Sequence, residues 1–317
     1  MKIRVVLPLL VVLYVIIPAL WGGDKYVISL LVASLTIAGV ALAWALLGNL
    51  GGMVSFGHAA FFGVGSYTSA LLSMKLGLPI FLCILMGGVG ATLISTTVLP
   101  ALRLRGPFFA LAILAYSQIF RILATELEGI TGGAGGLSSI PVLPKLSGYD
   151  FSSKLGGYFV VITIVLLSTW TYHLIRRSYY GIALRAMQES EDATRVVGVN
   201  STLLKAAMLF ISAFMTGIFG AFNSHYINFL EPDYAFHSDW TILPVVAAIF
   251  GGYRSLNGPL VGAVVIYLID QSIFKNLIPS GHQFILGALL GAMILFSPDG
   301  LEPYISKKLP WGKRVAH

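Results

Sequence analysis

The sequence predicts an all-α integral membrane protein, and three observations support that prediction. Of its 317 residues, 57% are hydrophobic and 10% are charged, and the mean hydropathy is +0.86. Because soluble domains carry roughly 25% charged residues, a water-soluble globule is excluded, and so is a disordered chain. Apolar runs that approach the length of a membrane-crossing helix, about 20 residues, recur along the chain. We therefore expect one transmembrane domain covering residues 1–317.

Ten apolar runs are candidate transmembrane helices. The third and the eighth are short, and each adjoins a glycine-rich stretch. The first follows Lys2 and Arg4, as in a signal peptide, but no A-x-A cleavage pattern follows it and a second run begins at once, so we expect a retained span. The runs cover approximately residues 5–21, 26–47, 59–74, 78–102, 106–125, 158–175, 206–230, 240–252, 258–274 and 282–297.

The distribution of Lys and Arg predicts the orientation. If the N-terminus is inside and ten spans alternate, fourteen Lys and Arg residues lie inside and five outside, while Arg121 falls within a span. Such an excess follows the positive-inside rule. Both termini are therefore predicted to be cytoplasmic, with a cytoplasmic tail at 298–317. The net charge of +7 reflects this topology rather than a nucleic-acid-binding surface.

A glycine-rich segment, residues 48–63, precedes the short third run. Four glycines within ten residues break or bend a helix. Irregular backbone at membrane depth is tolerated where protein buries it or where it lines a watery cavity. The segment is therefore either a broken or re-entrant element (near 48–58) beside a translocation path or a close helix contact through small residues. The candidate path residues are Gly51, Gly52, Ser55, Gly57 and His58.

A second glycine-rich stretch, residues 129–136, lies in the predicted outer loop 126–157. It resembles a phosphate-binding loop but lacks the terminal Lys-Ser/Thr pair, and the topology places it away from cytoplasmic ATP. We expect a flexible outer loop instead. Its candidate exterior residues are Glu126, Glu128, Gly132 and Gly133.

The longest predicted inside loop is residues 176–205. A short helix is expected at about 181–189, and Ser190 can cap a second one that has acidic residues in its first turn. Gly198 suits the position after that helix, where the backbone turns left-handed. The loop is either a solvated connector or a docking surface for a soluble partner.

Few residues of the sequence are typical of a catalytic or metal-binding site. Cys83 is the single cysteine, and the six histidines form no H-x-x-x-H pair. Neither a nucleophile with a base nor a metal-binding set is evident, so we expect no enzymatic activity and no cofactor. Arg121 and Asp270 are charges within predicted spans, and Asp270 is either an ion-pair partner of Lys275 at the membrane interface or a proton site.

Four segments together are similar to one family, the membrane permeases of branched-chain amino acid ABC importers. Residues 55–67 read SFGHAAFFGVGSY, residues 102–110 read LRLRGPFFA, residues 131–141 read TGGAGGLSSIP and residues 181–191 read GIALRAMQESE. They resemble the family patterns S-x-G-H-A-A-F-F-G-x-G-A-Y, L-R-L-R-G-x-Y-x-A, T-G-G-x-x-G-L-x-x-I-P and G-R-A-L-x-A-I-R-E-N-E. The first two point to the M-type subunit. Ile182 and Gln188 stand where the family commonly has Arg.

The resemblance implies a fold of about ten helices similar to that of vitamin B12-type importer permeases. It implies a second permease, the H-type subunit, together with two cytoplasmic ABC ATPases and an extracytoplasmic binding protein, in a bacterial plasma membrane. Relatives with this pattern carry other amino acids, urea or small amides, so the solute stays open. An ion-coupled secondary transporter is the main alternative. The residues expected to couple to the ATPase are Gly181, Arg185, Ala186, Glu189, Ala193 and Gly198.

Overall fold

The computed structural model describes residues 12–104, 106–146, 148–275, 281–296 and 300. Within these ranges each predicted apolar run contains a helix. The start of the first run, residues 5–11, and nearly all of the predicted tail 298–317 lie outside the described residues. Among the described residues, five helices are long and apolar enough to cross a membrane: α2 (Lys25–Leu50), α4 (Ile80–Arg103), α5 (Pro107–Glu126), α7 (Lys154–Arg177) and α10 (Ser201–Ile227).

The other elements are shorter or less apolar. The remaining helices at predicted runs are α1 (Val12–Trp21), α3 (His58–Leu76), α12 (Asp239–Gly251), α13 (Gly258–Phe274) and α14 (His282–Phe296). Short connecting helices are α6 (Glu128–Thr131), α8 (Tyr179–Glu189), α9 (Glu191–Val196) and α11 (Pro232–Ala235). The strands are β1 (Leu137–Ser138), β2 (Lys145–Leu146), β3 (Tyr149–Asp150) and β4 (Phe229–Leu230). The protein is thus a mostly helical, multi-pass membrane protein.

Helices α3, α4 and α10 pack closely together, because glycines let their backbones approach. A Cβ atom built at Gly65 of α3 would lie 2.5 Å from the Cα of Gly217 in α10. A Cβ at Gly217 would in turn lie 2.5 Å from the Cβ of Ala91 in α4. Small residues at such contacts are how helices associate within a bilayer. The three helices therefore form one closely packed unit within the bundle.

The helical pattern breaks between α2 and α3, as the glycine density predicts. Residues 51–57 have no regular structure. The carbonyl of Ser55 accepts a 2.8 Å hydrogen bond from the indole of Trp44, a residue one and a half turns before the end of α2. His58, the first residue of α3, lies 3.0 Å from the hydroxyl of Ser212, the twelfth residue of α10. The chain therefore turns back into the bundle, and α3 begins well inside it.

Helix α12 also begins inside the bundle, and it runs in the direction opposite to that of α3. The ring of Trp240, its second residue, stacks on Phe62 of α3 with ring centroids 3.8 Å apart. The N–H of Ala59 donates a 3.0 Å hydrogen bond to the hydroxyl of Thr241. With 13 residues, α12 is about 20 Å long, too short to cross a core of about 30 Å. Helices α3 and α12 therefore start side by side and run to opposite ends.

The bundle has two chemically different ends. One carries most of the arginines and is called the basic end. Its arginines include Arg103, Arg176, Arg177, Arg185, Arg195 and Arg254. The glycine-rich loop 129–136 lies at the other end and is more regular than the flexible loop expected from its composition. There β1 pairs antiparallel with β4, with Leu137 opposite Leu230.

Candidate functional site

The loop at the basic end folds as two short helices, as the sequence predicts. Helix α8 begins two residues earlier than expected, because the hydroxyl of Ser178 accepts a 3.4 Å hydrogen bond from the N–H of Gly181. The hydroxyl of Ser190 caps α9 by accepting from the N–H of Ala193 at 3.2 Å. Gly198 follows α9 with φ of +89°, the left-handed conformation predicted for it. Residues 179–198 are called the docking loop below.

An ionic cluster holds the docking loop against the start of α10. The carboxylate of Glu191 lies 2.8 Å from both Arg195 and Lys205. The hydrogen bond from Lys205 is the main reason why the pKa of Glu191 lies below its ordinary value, with further contributions from Ser201 and the charge of Arg195. The spacing of Glu191 and Arg195 could have predicted their pairing. Nothing in the sequence indicates the contact with Lys205.

The docking loop exposes apolar side chains. Val196 and Val197 are 88% and 77% exposed, and Tyr179, Tyr180 and Ile182 are exposed as well. Of the six residues predicted to contact a partner, five are exposed: Arg185, Ala186, Glu189, Ala193 and Gly198. Gly181 is buried instead, against the backbone of the last turn of α7, so it fixes the direction of α8. A cluster of exposed apolar side chains at the end of a helical bundle is typical of a surface that contacts another protein.

Asn49, near the end of α2, contacts three other parts of the basic end, one of which is the docking loop. Its amide donates to the hydroxyl of Tyr172 at 2.8 Å and to the carbonyl of Arg254 at 3.1 Å. The backbone carbonyl of Asn49 accepts a hydrogen bond from the side-chain amide of Gln188 in α8. We call these contacts the Asn49 junction. Because its partners lie more than 100 residues away in the chain, sequence reasoning missed it.

The candidate path residues lie mostly in the interior. Gly51, Ser55, Gly57 and His58 are buried, and only Gly52, beside Gln188, is exposed. A Cβ at Gly57 would collide with Ile113 of α5, including its carbonyl oxygen at 2.7 Å. Close packing is therefore observed at this glycine, and a role in the path stays a prediction.

His58 is held by a defined hydrogen-bond chain. Ser212 donates its hydroxyl proton to the carbonyl of Ala43 at 2.8 Å, so it accepts from Nε2 of His58 at 3.0 Å. Nδ1 of His58 is buried and has no partner among the described residues. Across the same described ranges, no group of three potential metal ligands occurs.

At the other end, the candidate exterior residues divide into exposed and buried ones. Glu126, Glu128 and Gly132 are exposed. Gly133 is buried, and its N–H donates to the hydroxyl of Thr131 at 3.3 Å. Arg121, predicted to lie in a span, forms a 3.0 Å ion pair with Asp233, and both side chains are largely exposed. Lys275 lies 3.7 Å from the carboxylate of Asp270, as the sequence suggests.

The membrane-length helices and the two helices that start inside the bundle define a multi-pass, all-α integral membrane protein. The chain belongs to the family described as the permease component of branched-chain amino acid transport systems, whose model matches residues 26–297. Members of this family are transport subunits rather than enzymes.

Individual relatives agree with this assignment. The chain is 29% identical to the high-affinity branched-chain amino acid permease protein LivM of Salmonella typhimurium, over 87% of this chain and 71% of that protein. It is 28% identical to LivM of Escherichia coli, over 82% of this chain and 66% of that protein. The LivH permease of Salmonella typhimurium is 23% identical over 86% of this chain and 93% of that protein. No solved structure matches the chain.

Proposed function

We propose that this chain is the M-type permease subunit of an ATP-driven importer of branched-chain and other hydrophobic amino acids. The observation that carries the proposal is the family match over residues 26–297. The similarity to LivM exceeds that to LivH, 29% against 23% identity, and favours the M-type role. The chain itself contributes the path, and ATP hydrolysis takes place in partner subunits.

The proposed complex contains an H-type permease, two cytoplasmic ABC ATPases and an extracytoplasmic binding protein. The ATPases bind the docking loop, because its apolar residues are exposed at the basic end, which the positive-inside rule makes cytoplasmic. The binding protein contacts the opposite end, near Glu126, Glu128, Gly132 and Gly133. Ten spans, cytoplasmic termini, a vitamin B12-type arrangement and a bacterial plasma membrane complete this proposal.

Whole-cell uptake tests which class of solute the protein transports. A strain lacking this chain should take up labelled leucine at a fraction of the parental rate, and a plasmid copy should restore it. Labelled urea and a small amide are measured in parallel. Leucine uptake unchanged by the deletion, with urea or amide uptake lost, would show that the solute class is wrong.

Purification tests the partner arrangement. With the four subunits co-expressed, Val196→Asp combined with Val197→Asp should abolish co-purification of the ATPases but not of the second permease. A carboxylate in an apolar contact loses its hydration without a partner. The control is Val142→Asp, an exposed valine at the opposite end. If the ATPases still co-purify with the double variant, the docking loop does not bind them and is a solvated connector.

A further inference from the structure

A cavity of about 310 Å³ opens at the end of the bundle away from the basic end. It exists because α12 begins inside the bundle, which leaves the space beyond its first turn unfilled. Residues of α2, α10, α12 and α13 form its walls, including Val32, Asn223, Asp239 and Lys275. Cavities of roughly 300–1,000 Å³ with a few convergent polar groups are typical small-molecule sites.

The cavity carries both signs of charge. Asp239 is the first residue of α12, and its side chain is 31% exposed, 3.4 Å from the ring of His237. Lys275 follows α13, and its side chain is 37% exposed. The ammonium of Lys275 forms an ion pair with the buried carboxylate of Asp270 at 3.7 Å. That distance is too long for a hydrogen bond, so the N–H groups of Lys275 can donate to a further acceptor. Ionisable groups within the membrane-spanning part of a protein commonly mark a substrate pathway.

The rest of the wall combines apolar and neutral polar side chains. Val32 and Ile37 of α2 and Leu243 of α12 supply aliphatic side chains to the wall. Asn223 donates to the hydroxyl of Tyr234 at 2.8 Å, which fixes both polar groups at the wall. The cavity thus offers a cation, an anion and an aliphatic surface within a volume suited to one small molecule.

We propose that this cavity is an entry site for a zwitterionic α-amino acid with an aliphatic side chain. Lys275 binds the solute's carboxylate, Asp239 binds its ammonium group, and the side chain lies against Val32, Ile37 and Leu243. The proposal rests on the proposed transport function and narrows it. Urea and simple amides carry no charge, so a site with paired charges favours amino acids over them.

The test uses the complete complex in proteoliposomes with labelled leucine and saturating binding protein. Lys275→Gln and Asp239→Asn should each lower leucine uptake at least tenfold, while ATP hydrolysis stimulated by the loaded binding protein stays within twofold of wild type. Lys275→Arg keeps the charge and should retain at least half of the uptake. Lys75→Gln, which changes an exposed lysine at the end of α3, is the matched control.

Two results would overturn the site. One is uptake by both neutralised variants at the level of Lys75→Gln. The other is a loss of stimulated ATP hydrolysis in parallel with uptake, which would show a structural role for the two charges. If wild-type complex accumulates no leucine, the proposed transport function fails before the cavity is tested.

Discussion

The backbone N–H of Ala59 donates a hydrogen bond to the hydroxyl of Thr241 at 3.0 Å, joining the first turn of α3 to the first turn of α12. The first N–H groups of a helix have no partner within it, and here both residues are buried. Thr241 therefore stabilises the point where two helices begin inside the bundle. Discontinuous helices of this kind frame the substrate sites of many transporters.

Thr241→Val should destabilise the protein, because it leaves the buried N–H of Ala59 without its acceptor. The expected cost is about 1–3 kcal/mol. Thr241→Ser keeps the hydroxyl and is the matched control. Thermal unfolding of the purified protein measures the difference, and equal unfolding temperatures for the Val and Ser variants would show that this hydrogen bond is dispensable.

Gly57→Ala should also destabilise the protein, since its added methyl group meets Ile113 and the carbonyl of that residue. Overpacking of this kind costs about 1–3 kcal/mol. The control is Gly48→Ala in the same segment, where the new Cβ would lie 3.7 Å from the ring of Trp44, an ordinary contact. Thermal unfolding of both variants checks this. A Gly57→Ala protein as stable as Gly48→Ala would argue against close packing.

The Gly57→Val variant addresses the path directly. It should still insert, and its uptake should fall strongly. Because the packing at Ile113 predicts a loss of stability as well, uptake is normalised to the amount of folded protein. Wild-type uptake per folded molecule would argue against a role of this segment in the path.

Asn49→Ala should uncouple ATP hydrolysis from uptake, because the side chain joins Tyr172 and the carbonyl of Arg254 beside the docking loop. Each lost hydrogen bond is worth about 1 kcal/mol, comparable to typical coupling free energies of 1–3 kcal/mol. More ATP should be hydrolysed per leucine moved. Asn257→Ala, at the same end and without a capping hydrogen bond, is the control. An unchanged ratio in Asn49→Ala would limit the junction to a structural role.

Gly198→Val should impair coupling through backbone strain alone. A Cβ there would meet nothing within 4 Å, but φ of +89° is unfavourable for a β-branched residue, at a cost of about 1–2 kcal/mol. Ala193→Trp should act by a different route, since its exposed bulk blocks contact with the ATPase. Both proteins should insert and meet the binding protein, yet lose solute-stimulated ATP hydrolysis.

The matched controls for these two variants lie at the opposite end. Gly23, outside the proposed binding-protein contact, has open space around it and no positive φ, so Gly23→Val adds the same side chain without strain. Ala19→Trp places the same bulk at an exposed site in α1, outside both proposed contact surfaces. Normal stimulated hydrolysis in both docking-loop variants would exclude the loop as the coupling element.

Acid pH should loosen α9 through Glu191. The pKa of this carboxyl is lower in the folded protein than its ordinary value, so its ionised form stabilises the fold above that ordinary value. The stabilisation is lost as the pH falls through the folded pKa. A spin label on Ala193→Cys in a Cys83→Ser background should become mobile in that range. Glu191→Gln should remove the transition and Asp192→Asn should keep it; a transition retained in Glu191→Gln would assign it to another group.

Hydropathy and capping rules could predict much of this structure. The predicted run 240–252 corresponds to Asp239–Gly251, and the caps at Ser190 and Gly198 are as expected. Helix α7 extends beyond its predicted run 158–175 to Lys154 and Arg177, because long basic side chains reach out of the apolar region. Local residue chemistry determines these features, so sequence reasoning finds them.

The contacts across the bundle could not be predicted in this way. Glycine density predicts the break before α3 but not the pairing of His58 with Ser212, which lie 154 positions apart. The same holds for Gln188 and Asn49, 139 positions apart. The cavity beside Asp239 depends on the depth at which α12 begins, and that depth follows from the packing of Trp240 on Phe62.

The central claim is that this chain is a transport subunit driven by partner ATPases. Its most direct test is uptake of labelled leucine into proteoliposomes containing both permeases and both ATPases, with binding protein supplied on the side from which solute enters. We predict uptake that requires ATP on the ATPase side and disappears when the ATPases are omitted. Uptake of the same size by this chain alone, driven by a proton or sodium gradient without ATP, would contradict the claim and establish a secondary transporter.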